Sequence, residues 1–286
     1  MAGTLYIVAT PIGNLEDITH RAVRVLAEAD LIACEDTRQT RKLLSRYGIE
    51  GRVVSYHEHN ERGRAAELIR EMEAGRSVAL VSDAGTPLIA DPGYRIVHEA
   101  RERGIAVVPI PGPSAIVAGL SASGLPTDSF CFLGFLPAKA AQRRRVLESV
   151  AQLQATVVFF EAPHRILQTL DEIGAVLGAR VVVLGRELTK IHEEFLTGTP
   201  EALHAELSQR AAIKGEFTLM VAKAAESSPP EEQAIEGEVA KLVEAGTPRM
   251  EAMKAVARRF GLSKREIYRR VADAGRAGAG QQSTEQ

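Results

Sequence analysis

The chain has 286 residues, 45% hydrophobic and 25% charged, with a net charge of -2 at neutral pH. That length allows two cores and an appendage, and the charge argues against a protein that coats nucleic acid along its whole surface. Two cysteines, Cys34 and Cys131, cannot build a disulfide framework, and both lie in apolar runs that suit buried free thiols, so a reducing, cytoplasmic setting is expected. The longest apolar run, Ala155 to Phe160, is far below membrane-spanning length, and no basic segment followed by an apolar one opens the chain, so neither export nor membrane insertion is expected.

Val- and Ile-rich runs at 5–10, 30–34, 77–82 and 106–110 are too short for helices, and each leads through a loop into a segment of helical period (21–28, 37–47, 94–103 and 114–121, with a further one at 61–74). That alternation predicts a mainly parallel, buried sheet. A second series at 129–135, 155–160, 180–185 and 217–222, with helical segments at 142–153 and 164–177, predicts a second, mixed sheet. The expected organisation is α/β: an N-terminal domain over 1–121, a second domain over 122–225, and a polar linker "ESSPPEEQ" at 226–233. Three short helices follow over 234–276 in a helix-turn-helix-like pattern, with Ser263 as N-cap and Glu266 at the capping-box position, and a disordered tail over 277–286. Between Arg249 and Arg276 nine Lys/Arg face three acids, so this module is the expected nucleic-acid contact.

In open parallel sheets ligands sit beyond the carboxyl ends of the strands. Three unusual loops occupy such positions: "TPIGNLEDIT" (10–19), "DAGTPLIADPG" (83–93) and "PGPSA" (111–115). Their glycines allow close backbone approach, and Pro87, Pro92, Pro111 and Pro113 reduce the entropy lost on ordering. Neither G-x-G-x-x-G nor G-x-x-x-x-G-K-[ST] is present, and no Lys or Arg lies between Ser77 and Pro92. The expected pocket is stiff, backbone-rich and suited to a cationic or zwitterionic ligand rather than a triphosphate. "HEH" at 57–59 offers two histidines without a third ligand and reads as a solvated loop. "EDTR" at 35–38 places Glu35 and Asp36 at a strand end followed by Thr37 as a helix cap, while "EAPHR" (161–165) and "GRELTK" (185–190) supply the dense polar cluster Glu161, His164, Arg165, Arg186, Glu187 and Lys190.

Taken in register, "LYIVATPIGNLEDIT", "EDTR", "VSDAGTPLIADPG", "PGPSA", "FFEAPHR", "GREL" and "KGEFTL" resemble the tetrapyrrole-methylase family over residues 3–222, and in particular its ribosomal branch of 16S rRNA cytidine 2'-O-methyltransferases. The resemblance implies a two-domain tetrapyrrole-methylase fold that binds S-adenosylmethionine between its α/β domains, without a metal, as a homodimer acting on 16S rRNA within the small ribosomal subunit. It implies cofactor contacts at Pro11, Asp83, Ala84, Gly85, Thr86, Pro87, Pro113, Ser114, Ala115, Phe160 and Glu161, with Asp83 preferred over Asp91 as the acid facing the cofactor. A ribose hydroxyl needs a base or a cation beside it, for which Lys190 and Glu187 are the first candidates and Glu35 and Asp36 the next. RNA contacts are expected at Arg165, Arg186, Arg258, Arg259, Lys264, Arg265, Arg269 and Arg270. The competing readings are a precorrin-type macrocycle methyltransferase and a non-catalytic RNA-binding or ribosome assembly factor.

Overall fold

Apolar β-branched runs form strands where both faces of a sheet are covered. A computed structural model describes residues 2–224, 232–259 and residue 267. β1 (Thr4–Val8), β2 (Leu31–Cys34), β3 (Val53–Ser55), β4 (Val78–Val81) and β5 (Ala106–Ile110) make one sheet in the order β3-β2-β4-β1-β5, every neighbouring pair parallel. β2 and β4 are buried at every residue, which is why their sequences are unbroken apolar runs without alternation. Helices α1 (His20–Glu28) and α2 (Thr37–Arg46) cover one face through Ala22, Val25, Leu26 and Leu44. α3 (Glu61–Glu73) and α4 (Tyr94–Glu102) cover the other through Leu68, Ile69, Met72 and Ile96. β3 is absent from the sequence reading because it is a three-residue edge strand, half-buried throughout, with no run long enough to show a period.

The second sheet is mixed. β6 (Phe130–Phe135) runs parallel to β7 (Thr156–Glu161), while β8 (Val182–Arg186), β9 (Glu194–Gly198) and β10 (Phe217–Val221) complete the order β6-β7-β10-β8-β9 through antiparallel pairs. One face packs under α6 (Ala140–Ser149), α7 (Ile166–Leu177) and α8 (Pro200–Ser208), with Phe159, Leu170, Ile173, Leu207 and Leu219 fully buried. α5 (Ala115–Ser123), which follows the last strand of the first sheet, lies on the other face of the second: Ile116 and Leu120 pack on Val158, Val183 and Met220. α5 therefore ties the two sheets together. β9 and α8 also escape the sequence reading, β9 for its half-polar composition; α8 carried a legible signal, with Thr199 capping the Ala202 amide and Pro200 at the first turn.

The chain divides into two compact units, Met1–Ala224 and Ala225–Gln286. In the second, α9 (Glu232–Glu244) begins inside the expected linker, and it packs with α10 (Arg249–Arg259) around Ile235, Val239, Ala252, Met253, Val256 and Ile267. The expected third helix, its cap at Ser263 and Glu266, and the tail over 277–286 lie outside the described residues, apart from Ile267. Cys34 is buried and Cys131 half-buried, both as free thiols. Among the described residues no helix is long and apolar enough to cross a membrane.

Candidate functional site

The loops after β1 and β4 are locked to each other. Thr10 and Gly85 exchange backbone hydrogen bonds of 2.9 and 3.0 Å, and the Thr10 hydroxyl donates to the Ser82 carbonyl at 3.1 Å. Further along the same loop Leu88 and Ala90 hold positive φ, a conformation that costs energy away from glycine and is kept where surrounding contacts impose it. These loops form one side of a 460 Å3 cleft whose other side is built by the ends of β6, β7 and β10 and by the loop after β8. Of the residues expected around a cofactor, Asp83, Ala84, Gly85, Thr86, Ser114, Ala115, Phe160 and Glu161 line it. Pro11, Pro87 and Pro113 do not line it: the first two are buried behind the wall, and the Pro113 carbonyl accepts from the Thr86 hydroxyl at 3.5 Å. Their part is to stiffen the loops. The structure adds residues given no site role by sequence reasoning, including Ile12, Ile89, Phe135, Leu188 and Glu216, and places Asp91 beside Asp83 in the lining.

Lys190 points its ammonium between two carboxylates, 2.7 Å from Glu187 Oε1 and 3.0 Å from Glu216 Oε2. Glu187 and Thr189 both adopt positive φ to make this turn, which the backbone of the Glu216 region holds: Glu187 N–H donates to the Glu216 carbonyl, and Glu216 N–H returns a bond to Glu187 Oε1 at 3.0 Å. The Thr189 hydroxyl accepts from the Asn14 amide at 3.0 Å, so the turn is anchored to the loop after β1. Burial by itself would lower the proton affinity of Lys190, but hydrogen bonds to Glu187 and Glu216 and their charges raise it above the usual lysine value. Burial likewise acts to raise the Glu187 carboxyl, and the Lys190 and Glu216 hydrogen bonds carry it below the usual carboxylate range. The pair is held charged. Glu216 carries no signal of its own; it sits in the quoted "KGEFTL" motif, and only the antiparallel pairing of β10 with β8 brings it to Lys190.

Glu35 and Asp36 do not line the cleft. Asp36, and not the expected Thr37, which is the first helical residue, caps α2, accepting from the Arg38 amide at 2.8 Å, and its carboxylate pairs with the Arg38 guanidinium; that side-chain bond, with the amide bond, holds it down at about 2. Its own amide donates to Asp83 Oδ1 at 3.0 Å, so Asp36 orients a cleft acid rather than acting in the cleft. Burial, reinforced by the neighbouring Asp83 charge, raises Glu35. Asp91 is in the lining, and burial followed by repulsion from Glu35 pushes its carboxyl up to about 6.

Two of the expected RNA contacts are engaged within the fold. Arg165 donates to the Leu136 and Pro137 carbonyls at 2.5 and 3.4 Å and lies 3.3 Å from Glu161, which also accepts from the Thr169 hydroxyl at 2.7 Å. Arg186 donates to the Lys214 carbonyl at 2.6 Å and to Glu194 at 3.0 Å. Both guanidiniums are mostly buried, so their place is in supporting the second sheet. The side chains of Arg258 and Arg259, and the whole of Lys264, Arg265, Arg269 and Arg270, lie outside the described residues.

The family model for tetrapyrrole (corrin/porphyrin) methylases matches residues 4–204. A protein of Halalkalibacterium halodurans named ribosomal RNA small subunit methyltransferase I is 52% identical over 93% of this chain and 93% of its own length. Proteins of the same name from Mesorhizobium japonicum and Escherichia coli O157:H7 are 49% and 47% identical, each over 93% of this chain and over 90% and 94% of their own lengths. Among solved structures, diphthine synthase superposes with a TM-score of 0.60 at 17% identity, over 77% of this chain and 90% of its own. Uroporphyrin-III C-methyltransferase of Thermus thermophilus, solved with S-adenosylhomocysteine, gives 0.53 at 19% identity, over 78% of this chain and 98% of its own. The motifs, the two-sheet architecture and these likenesses agree: the chain belongs to the tetrapyrrole methylase family and, within it, to the ribosomal RNA small subunit methyltransferase I proteins.

Proposed function

We propose that this protein transfers the methyl group of S-adenosylmethionine to the 2'-hydroxyl of a cytidine in the decoding region of 16S rRNA, within the small ribosomal subunit. The observation that carries this reading is the charge arrangement of the cleft. Among its described lining residues there is one ammonium, Lys190, against the carboxylates of Asp83, Asp91 and Glu216, while the carboxylate of Glu161 is buried behind the wall on Arg165 and Thr169. Such a lining suits a sulfonium cation with an amino-acid tail and is wrong for a triphosphate. Asp83 and the backbone of Ala84 to Thr86, with Ser114 and Ala115 at the start of α5, are the groups we assign to holding it. When bound, S-adenosylmethionine supplies an electrophilic methyl carbon.

The chain's own part is to position the hydroxyl and make it a better nucleophile. An alkoxide-like oxygen is favoured next to a fixed positive charge in a water-poor cleft. Lys190 has three N–H donors, and Glu187 and Glu216 accept from two directions, leaving a donor for the ribose oxygen. Because both carboxylates raise its proton affinity, Lys190 serves as a cation and not as the base, and the proton released by the hydroxyl passes to the exposed Glu216 carboxylate beside it and on to water. Glu187 orients it, while Glu35 and Asp36 act from behind Asp83. We assign RNA contact to the basic C-terminal module, and read the protein as a cytoplasmic homodimer.

The macrocycle alternative has support only at the level of fold, from structures 18–23% identical, against relatives of 43–52% identity named for ribosomal RNA. The test is incubation of the protein with labelled S-adenosylmethionine and small ribosomal subunits lacking the modification, followed by mapping of the labelled nucleotide. A 2'-O-methylated cytidine is expected. Label on a base, on a macrocycle or nowhere would refute the reading, and absence of heat on calorimetric titration with S-adenosylmethionine would favour a non-catalytic assembly factor.

A further inference from the structure

β6 is an edge strand that changes face before it ends. Phe130, Cys131 and Phe132 pair residue for residue with Thr156, Val157 and Val158, but the next partner, Phe160, faces Phe135 rather than Gly134. One extra residue has been inserted, at Gly134, whose φ of 65° is the left-handed conformation such a bulge uses. Strand side chains alternate, so without the bulge Phe135 would fall on the face opposite Phe132. With it, Phe135 joins Phe132 and Phe160 on one side: the Phe160 ring lies edge-on to both, with centroids 4.8 Å from Phe132 and 5.7 Å from Phe135.

Phe135 is nevertheless 55% exposed, and it lines the same cleft as Lys190 and Asp83. Its backbone is held firmly. Leu136, the next residue, is buried, its carbonyl accepts from Arg165, and the Pro137 carbonyl accepts from Arg143 at 3.1 Å. Arg143 is itself buried and joined to Glu172 by two bonds of 2.5 and 2.6 Å. A bulge, two arginine anchors and an aromatic backing thus fix the ring in the cleft lining with more than half of its surface left open.

Resting on the RNA reading above, we propose that Phe135 is the stacking platform for the base of the nucleotide being methylated. A ribose can reach a recessed methyl donor only if its nucleotide is splayed out of the RNA stack, and a splayed base loses its stacking neighbours. The free face of Phe135 replaces one of them. Phe130 and Leu133 on the same strand are also exposed, at 48% and 38%, but of the three only Phe135 lines the cleft, where its ring matches one planar base; stacking is tolerant of base identity, so Phe135 retains the extruded nucleotide without selecting cytosine. Lys190, on the wall of the same cleft, then meets the ribose of that nucleotide.

The experiment compares wild type, Phe135→Ala and Phe135→Trp in methyl transfer to undermodified small ribosomal subunits, with S-adenosylmethionine affinity measured separately by calorimetry and the oligomeric mass by light scattering. Loss of one base stack predicts that kcat/KM for subunits falls on the order of tenfold or more in Phe135→Ala, with cofactor affinity within about twofold of wild type. Phe135→Trp, which keeps an aromatic face, recovers most of the loss. Unchanged kcat/KM in Phe135→Ala beside an active wild type overturns the stacking proposal alone. A parallel fall in cofactor affinity overturns it by assigning the ring to the adenosine, and a change in mass by assigning it to contact between copies. A wild type that methylates no RNA overturns the functional reading and this proposal with it.

Discussion

Glu187 fills the space that a side chain at Gly215 would need: a Cβ on Gly215 would come within 2.7 Å of Glu187 Cδ and 2.8 Å of its Oε1. Gly13 does the same for Lys190, where a Cβ would overlap the lysine Cγ and sit 3.0 Å from the Leu188 carbonyl oxygen. Two glycines from opposite sides of the cleft are therefore shaped around one charged pair. Gly215 also holds φ +91°, so Gly215→Ala meets strain as well as overlap, and we expect a loss of about 2–4 kcal/mol of stability together with a displaced Lys190. Gly13→Ala meets overlap without a positive φ, so transfer activity should fall more than stability does. Urea denaturation beside turnover assays separates the two; wild-type turnover in Gly13→Ala would show that the clamp tolerates displacement.

Lys190→Ala removes the cation and leaves Glu187 and Glu216 facing each other. Losing one group that stabilises a developing oxyanion costs on the order of 10²–10³ in kcat. Cofactor affinity should change by only a few-fold, because the assigned cofactor contacts lie on other loops. Pre-steady-state transfer at saturating S-adenosylmethionine measures the first quantity and calorimetry the second; equal turnover in mutant and wild type removes Lys190 from the mechanism.

Asp91 sets a pH dependence. Its carboxyl is raised from the ordinary 3.8 to about 6, so the folded protein binds that proton more tightly than the unfolded chain does. The stability this contributes is fully present below pH 3.8 and is lost as pH rises through about 6. A shift of about two units is at most ~3 kcal/mol, and with Asp91 partly open to solvent about 1–2 kcal/mol is the expected cost of its charge at neutral pH. Asp91→Asn should therefore be more stable than wild type at pH 7.5, with the gain shrinking as pH falls toward 4. A gain that does not depend on pH would show that packing, not charge, is responsible.

Arg165→Ala tests whether this residue supports the fold or contacts RNA. The substitution strips a partner from Glu161, whose side chain is fully buried, and releases the Leu136 carbonyl. Breaking a buried pair by removing one member costs about 3–5 kcal/mol. Reduced thermal stability with an unchanged salt dependence of RNA affinity is the expected result; a shallower salt slope with full stability would restore the RNA role.

Removal of residues 234–286 takes away the helices of the second compact unit, which have a core of their own. We expect weaker binding to small ribosomal subunits and a shallower dependence of affinity on salt, since each lost phosphate contact lowers that slope by about 0.7–0.9. Cofactor affinity should persist. Unaltered subunit affinity after truncation refutes the assignment of the basic module.

Much of the architecture was legible before any coordinates. Among the described residues eight of the ten strands appeared as apolar runs, clearest in β2 and β4, which are buried at every residue and have to be apolar on both faces. β3 and β9 escaped because the first is only three residues long and the second half-polar, and neither has a fully buried residue. The loop chemistry was legible as well: glycine and proline beyond parallel strands, with no lysine among them, marked a stiff wall for a ligand that is not a triphosphate.

What the sequence determined by itself was thus the class of fold, the three loops, the charge of the cleft wall and the kinship. Its tertiary structure decided which charges meet. Lys190 and Glu216 are 26 residues apart, and no local pattern announces that β10 returns beside β8 to join them. Arg165 and Arg186 looked available for RNA because a guanidinium reads as exposed until the carbonyls and carboxylates it meets are known. Phe135 looked like one more apolar strand residue until a one-residue bulge turned it into the cleft. Burial and period are local consequences of side-chain chemistry, whereas pairing between distant groups depends on strand order and register, which only the folded chain fixes.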